Sequence, residues 1–138
     1  MAPYDFSTMI PTLIMIGKVL LSVLLGAIIG YEREMREKPA GLRTHMLLAT
    51  GSTVFTILST DAFPGSESAR VAAGIVAGVG FIGAGAIFMQ KDKVIGITTA
   101  ASLWVTASIG MAVATGFYIL GVATTLITYI ILRLPRTG

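Results

Sequence analysis

The residues able to do chemistry crowd into one stretch, GYEREMREKPAGLRTH, running from Gly30 to His45. Glu32, Glu34 and Glu37 supply carboxylates, Arg33, Arg36, Lys38 and Arg43 supply cations, and His45 is the single histidine. Carboxylates this close could hold a hydrated magnesium ion through one or two oxygens. The interleaved arginines are nearer partners and form strong charge-assisted hydrogen bonds with carboxylates, so ion pairing is the expected arrangement. One histidine in a chain without cysteine cannot make a zinc site. Nor does His45 fall in a P-loop, an H-E-x-x-H helix or a nucleophile elbow. The chain is therefore expected to be neither an enzyme nor a holder of metal or other cofactors.

Outside that stretch, three features stand out. Lys18 lies deep in an apolar run, where an ammonium costs about 3 kcal/mol unless it snorkels or finds a partner. It shares a stripe with Ser22, Gly26 and Gly30, which points it inward. Its expected partners are Asp5, Asp61 or the lipid headgroups, with a place on an ion pathway as the alternative. His45, Ser52, Thr56 and Ser59 fall within about 60° of helical arc, and Thr99, Ser102, Thr106 and Gly110 form a similar stripe. Two such hydroxyl faces serve either as glue between helices or as the lining of a polar pore.

The stretch GVGFIGAG spaces Gly78, Gly80 and Gly83 as G-x-G-x-x-G, the spacing of a dinucleotide fingerprint. That motif needs a preceding strand and a helix opening at the glycines, whereas these lie in the middle of an apolar run. Packing is the expected role. Gly74, Gly78 and Gly85 share one side of a helix and Gly80 and Gly83 the opposite side, with Ile75, Val79 and Ile82 as a bulky ridge between them, suited to lipid or a third neighbour.

The elements that must position these groups are membrane helices. Of 138 residues, 54% are hydrophobic and 12% charged, and the mean hydropathy is +0.85. That balance is far from that of a soluble domain. The fold expected is an all-α integral membrane protein, a bundle of about five transmembrane helices over residues 9–31, 43–60, 70–90, 96–114 and 117–134. The first run is too long for a signal-peptide core and reads as a retained helix. The last two spans form one apolar block too long for a single crossing, divided at Thr115-Gly116; four spans is the competing count. Pro64-Gly65 marks a turn between the second and third spans.

The net charge of +3 is more informative as a distribution than as a hint of nucleic acid, which is not an expected partner. Arg33, Arg36, Lys38, Arg43, Lys91, Lys93, Arg133 and Arg136 fall on one side of five crossings, and Arg70 alone on the other. By the positive-inside rule the N-terminus lies outside and the C-terminus in the cytoplasm.

With the spans in place, GAIIGYEREMREKPAGLRTHMLLATGS, GVGFIGAGAIF and VIGITTAASLWVTASIGMAVATG closely resemble the transmembrane domain of the MgtC/SapB family of bacterial inner-membrane proteins, over roughly residues 16–120. The positions that match the family pattern are Gly30, Glu32, Arg33, Pro39 to His45, then Gly80, Gly83, Gly85, Thr98 to Ala101 and Trp104. Lys18 stands where many relatives carry a basic residue, and Gly74 where many carry Gln. The resemblance implies a single domain over 1–138, without the soluble ACT-like domain of longer members. It also implies adaptation to magnesium limitation and, in pathogens, virulence, by restraint of a partner such as the membrane sector of F-type ATP synthase.

The reading that joins these strands is a non-enzymatic, multi-pass inner-membrane protein, a homodimer through small-residue faces, that modulates a membrane partner. Its expected contact element is the cytoplasmic turn with Glu32, Arg33, Arg43, Thr44 and His45, because charged loop residues are available to partners. The alternative is a small ion or solute transporter using the hydroxyl stripes, Lys18 and the Glu32–Arg33 pair; a third reading is an assembly subunit.

Overall fold

A computed structural model describes residues 5–63 and 67–136 of the chain. Five helices follow in order: α1 (Phe6–Met35), α2 (Leu42–Asp61), α3 (Ser68–Gly85), α4 (Ile97–Ala114) and α5 (Tyr118–Arg133). A small antiparallel hairpin, β1 (Phe88–Gln90) and β2 (Lys93–Ile95), joins α3 to α4. The turn expected at Pro64-Gly65 lies outside the described residues.

Length and composition make α1, α3 and α4 able to cross a membrane, and α5 is a shorter apolar helix. The hydroxyls of α2 dilute its hydropathy, so its place in the bundle comes from packing between α1 and α4. At 30 residues, α1 is about 45 Å long, enough to carry its charged C-terminal turn beyond an apolar layer of about 30 Å. Asp5 caps its start by accepting the Phe6 N–H at 2.7 Å, and it ends through Glu37, which takes a left-handed φ of 53°.

Division of the last apolar block falls where the sequence places it. Gly116 adopts φ +86° between α4 and α5, giving five helices rather than four. The third span is shorter than expected. Hydropathy alone carries it to residue 90, but α3 stops at Gly85 and the chain turns back as the hairpin. Lys91 and Asp92 both take positive φ, 47° and 63°, the conformation of a two-residue hairpin turn. At the base of the hairpin Gly96 holds φ +96°, and a Cβ there would overlap the Ala86 carbonyl. No other residue type closes that corner without displacing the backbone.

Helix α4 is the hub and touches each of the other four helices. Leu25 and Ile29 of α1 meet Ile109 and Val113 of α4 and Leu132 of α5 in one apolar cluster. Backbones approach closely where glycines allow it. A Cβ on Gly26 would sit 2.8 Å from the His45 carbonyl oxygen, and one on Gly110 would sit 2.8 Å from that of Ala49. These contacts draw α1, α2 and α4 into one tightly apposed trio.

Helix α3 is oriented differently from the sequence expectation. Two residues of its bulky ridge point inward, Ile75 and Val79, buried against Ala107 of α4 with Leu48 and Met111 alongside, while Ile82 is exposed. Gly83 meets Ala100, but Cβ atoms added at Gly74, Gly78, Gly80 or Gly85 would meet nothing within 4 Å. Ile75 and Val79 take the interior because large side chains bury more apolar surface against α4 than the glycines could. Among the described residues, the glycines of α3 other than Gly83 therefore mediate no close helix contact.

Candidate functional site: a buried charge cluster

At the C-terminal end of α1, the helical spacing puts Glu32 and Arg36 one turn apart and Arg33 on the side facing α4. Glu32 and Arg33 are each only 3% exposed. Arg36 Nε lies 2.8 Å from Glu32 Oε1, and Arg33 Nη1 lies 3.5 Å from Glu32 Oε2. These are close charge pairs, but neither carboxylate oxygen receives a well-directed hydrogen bond, and Arg33 Nε faces no acceptor. The carboxylate is thus held by Coulomb attraction in a place where water would ordinarily complete its shell.

The cluster continues across the bundle. Arg33 Nη2 donates to Thr99 Oγ1 at 3.4 Å, tying α1 to the first turn of α4. Ser102, one turn further along α4, places its hydroxyl 3.1 Å from His45 Nε2 of α2 and 2.7 Å from the Thr99 carbonyl. His45 is fully buried, and its Nδ1 lies 2.9 Å from the Gly41 carbonyl. Because a carbonyl only accepts, that pairing assigns the ring proton to Nδ1. Glu34 uses its carboxylate differently: Oε2 accepts the Leu42 N–H at 3.0 Å, capping α2 from α1 across the turn.

The structure therefore brings Glu32, Arg33, His45, Thr99 and Ser102 together and leaves Arg43, Thr44 and Lys18 apart. In the first turn of α2, Arg43 is exposed and Thr44 half-buried. Of the turn expected to contact a partner, Glu34, Arg36, Glu37 and Arg43 are exposed, whereas Glu32, Arg33 and His45 are buried. Glu32, Arg33 and His45 are enclosed because Gly30 lets Leu42 pack directly on α1, folding the turn back onto the bundle. Among the described residues, no three or more His, Cys, Asp or Glu side chains gather as a metal site.

Lys18 has a partner that the sequence reading did not reach. Its Nζ donates to the Ala114 carbonyl at 3.0 Å, at the C-terminal end of α4. The last four carbonyls of a helix lack intrahelical partners, and in an apolar setting each must be satisfied within the protein. Thr115, Gly116 and Phe117 N–H groups serve Met111, Val113 and Ala112, and Lys18 serves Ala114. The ammonium also sits at the negative end of the α4 dipole. Neither Asp5 nor Asp61 is its partner.

The two hydroxyl stripes do meet, as a closed seam. Ser52 Oγ donates to the Ala107 carbonyl at 2.6 Å, and Thr53 Oγ1 shares its proton between Ala49 and Gly110 carbonyls at 2.8 and 3.2 Å. Thr56 and Thr106 bond to carbonyls on their own helices. Thr53, fully buried at the centre of this seam, was not singled out from the sequence.

Five helices, three of them long and apolar enough to cross a bilayer, with a buried charge cluster at one end, are the architecture of a membrane protein held by small-residue and hydroxyl contacts. Its family follows from comparison: residues 19–137 match the MgtC family, and the chain belongs to it. YhiD of Escherichia coli K12, whose name proposes that it transports magnesium, is 45% identical over 123 residues, covering 83% of this chain and 57% of that protein. Protein MgtC of Salmonella typhimurium LT2 is 46% identical over 109 residues, or 79% of this chain and 47% of that protein. An uncharacterized Haemophilus influenzae protein is 38% identical over 132 residues, 88% of this chain and 56% of its own length. The chain spans about half the length of these curated relatives. No solved structure matches it.

Proposed function

We propose that this magnesium-related membrane protein is a non-enzymatic, multi-pass component of the bacterial inner membrane that acts during magnesium limitation by docking on a partner complex, such as the membrane sector of F-type ATP synthase. The N-terminus lies outside and the C-terminus in the cytoplasm, following the distribution of Lys and Arg. The observation that carries a docking role over conduction is the closed seam between α2 and α4. Its hydroxyls, the groups best placed to line a pore, are turned onto carbonyls at 2.6 to 3.2 Å and leave their protons engaged. Gly80 of α3, where an added Cβ would meet nothing within 4 Å among the described residues, supports close approach by a second copy or a partner helix.

Transport is the second reading, favoured by the name of YhiD and by the incompletely hydrogen-bonded Glu32 carboxylate. Purified protein in liposomes separates the two. The docking reading expects no magnesium or proton flux above empty vesicles, together with co-purification of ATP synthase subunits from native membranes in mild detergent. A saturable magnesium flux that Glu32→Gln abolishes would replace it with transport.

A further inference from the structure

Between helices α2 and α3 lies an apolar groove of about 660 Å³, within the roughly 300–1,000 Å³ usual for small-molecule sites. Thr44, Leu47, Gly51 and Phe55 form one wall, and Gly74 and Gly78 form the floor of the other. Along α2 the groove runs from Thr44 to Phe55, about 16 Å of helix. That is the depth of one leaflet in a hydrocarbon layer of about 30 Å. Its length suits one lipid chain entering from one surface.

The charges at its two ends differ. At the Thr44 end stands Arg43, exposed, one residue before the lining residue Thr44 and one helical turn before the lining residue Leu47. Among the described residues it forms no ion pair, whereas Arg33 and Arg36 are occupied by Glu32. Glu34 is engaged at the Leu42 N–H, and Lys91 and Lys93 outnumber Asp92 in the hairpin at the same end of the bundle. The opposite end carries Asp61 and Glu67, with Arg70 bound to Glu67 at 3.2 Å. An anionic headgroup is therefore attracted to one end and not the other.

The geometry points to the α2–α3 groove as a binding site for an anionic phospholipid, with an acyl chain along Gly51, Gly74 and Gly78 and the phosphate at Arg43. The glycines keep the groove open, since a larger side chain at Gly74 or Gly78 would project into it. Arg43 supplies headgroup selectivity, and a polybasic contribution of about 1 kcal/mol per cation corresponds to about fivefold in binding. This site does not depend on the docking role proposed above.

The test is native mass spectrometry of delipidated protein in detergent with dioleoylphosphatidylglycerol or dioleoylphosphatidylcholine. The glycerol lipid should give single adducts about fivefold more readily than the choline lipid. Arg43→Gln, at an exposed position, should bring that ratio close to one. Gly78→Leu, shown to be folded by its circular-dichroism melt, should reduce both adducts, and the smaller Gly78→Ala should reduce them less. Equal adducts with the two lipids, or a preference that survives Arg43→Gln, would overturn the proposal. So would adducts unaffected by Gly78→Leu, or a dimer that Gly78→Leu dissociates with no change in lipid binding, which would make the groove's occupant a second copy.

Discussion

Replacing Gly26 with alanine adds one methyl group at the tightest point between α1 and α2, and its effect can be worked from the structure. The new Cβ would lie 2.8 Å from the His45 carbonyl oxygen and 2.9 Å from Ala49 Cβ. Comfortable carbon contacts begin near 3.5 Å, so the two helices must separate by roughly half an ångström or more. Neither obstacle can swing aside, because one is backbone and the other is fixed to it. Separation would also stretch the Glu34–Leu42 cap at 3.0 Å and the His45–Ser102 contact at 3.1 Å. Overpacking of this kind costs about 1–3 kcal/mol. Alanine's better helix propensity returns about 1 kcal/mol, for an expected net loss of up to about 2 kcal/mol. Gly78→Ala makes the same atomic change where nothing lies within 4 Å, so it should be neutral or slightly stabilising. Equilibrium unfolding in mixed micelles, followed by circular dichroism, compares the two directly. If Gly26→Ala proved as stable as Gly78→Ala, the close apposition of α1 and α2 would be refuted.

Three further outcomes follow from the same geometry. Lys18→Met removes the donor to the Ala114 carbonyl; it should cost about 1–2 kcal/mol after relief of the buried charge and speed amide hydrogen exchange at Thr115 to Phe117, and unchanged exchange there would contradict the capping role. Glu32→Gln strips the compensating charge from a buried pair and should cost at least about 2 kcal/mol in the same unfolding assay, while Glu67→Gln, in an exposed pair with Arg70, should change stability by less than about 0.5 kcal/mol. Gly96→Ala should be far more damaging than Gly116→Ala, because both hold positive φ, worth about 1–2 kcal/mol each, but only at Gly96 does the new Cβ strike a carbonyl; yields of folded protein and thermal melts would show the difference.

Much of this protein is readable from its residues taken alone. Apolar blocks longer than a bilayer's depth define the membrane class, and Thr115-Gly116 marks the turn that yields five helices, because glycine alone takes φ +86° cheaply. Spacing by four predicts the pairing of Glu32 with Arg36, since neighbours on a helix face meet whatever the tertiary context. The motifs around Gly30 to His45 and Thr98 to Trp104 identify the family that the comparison shows.

Other features required the folded chain. Lys18 meets Ala114 across 96 residues, and His45 meets Ser102 across 57, separations that no local period encodes. The burial of Glu32 and Arg33, which charge alone would place at a solvated edge, depends on how the turn folds against α2. The hairpin after Gly85 was hidden because hydropathy reports apolar character but not backbone conformation. The orientation of α3 is the clearest case. Helical spacing separates its glycine flanks from the Ile75–Val79 ridge but does not say which faces inward. In water, polar residues mark the outer face; among lipid chains the exterior is as apolar as the core, so only contacts with α4 and α2 decide.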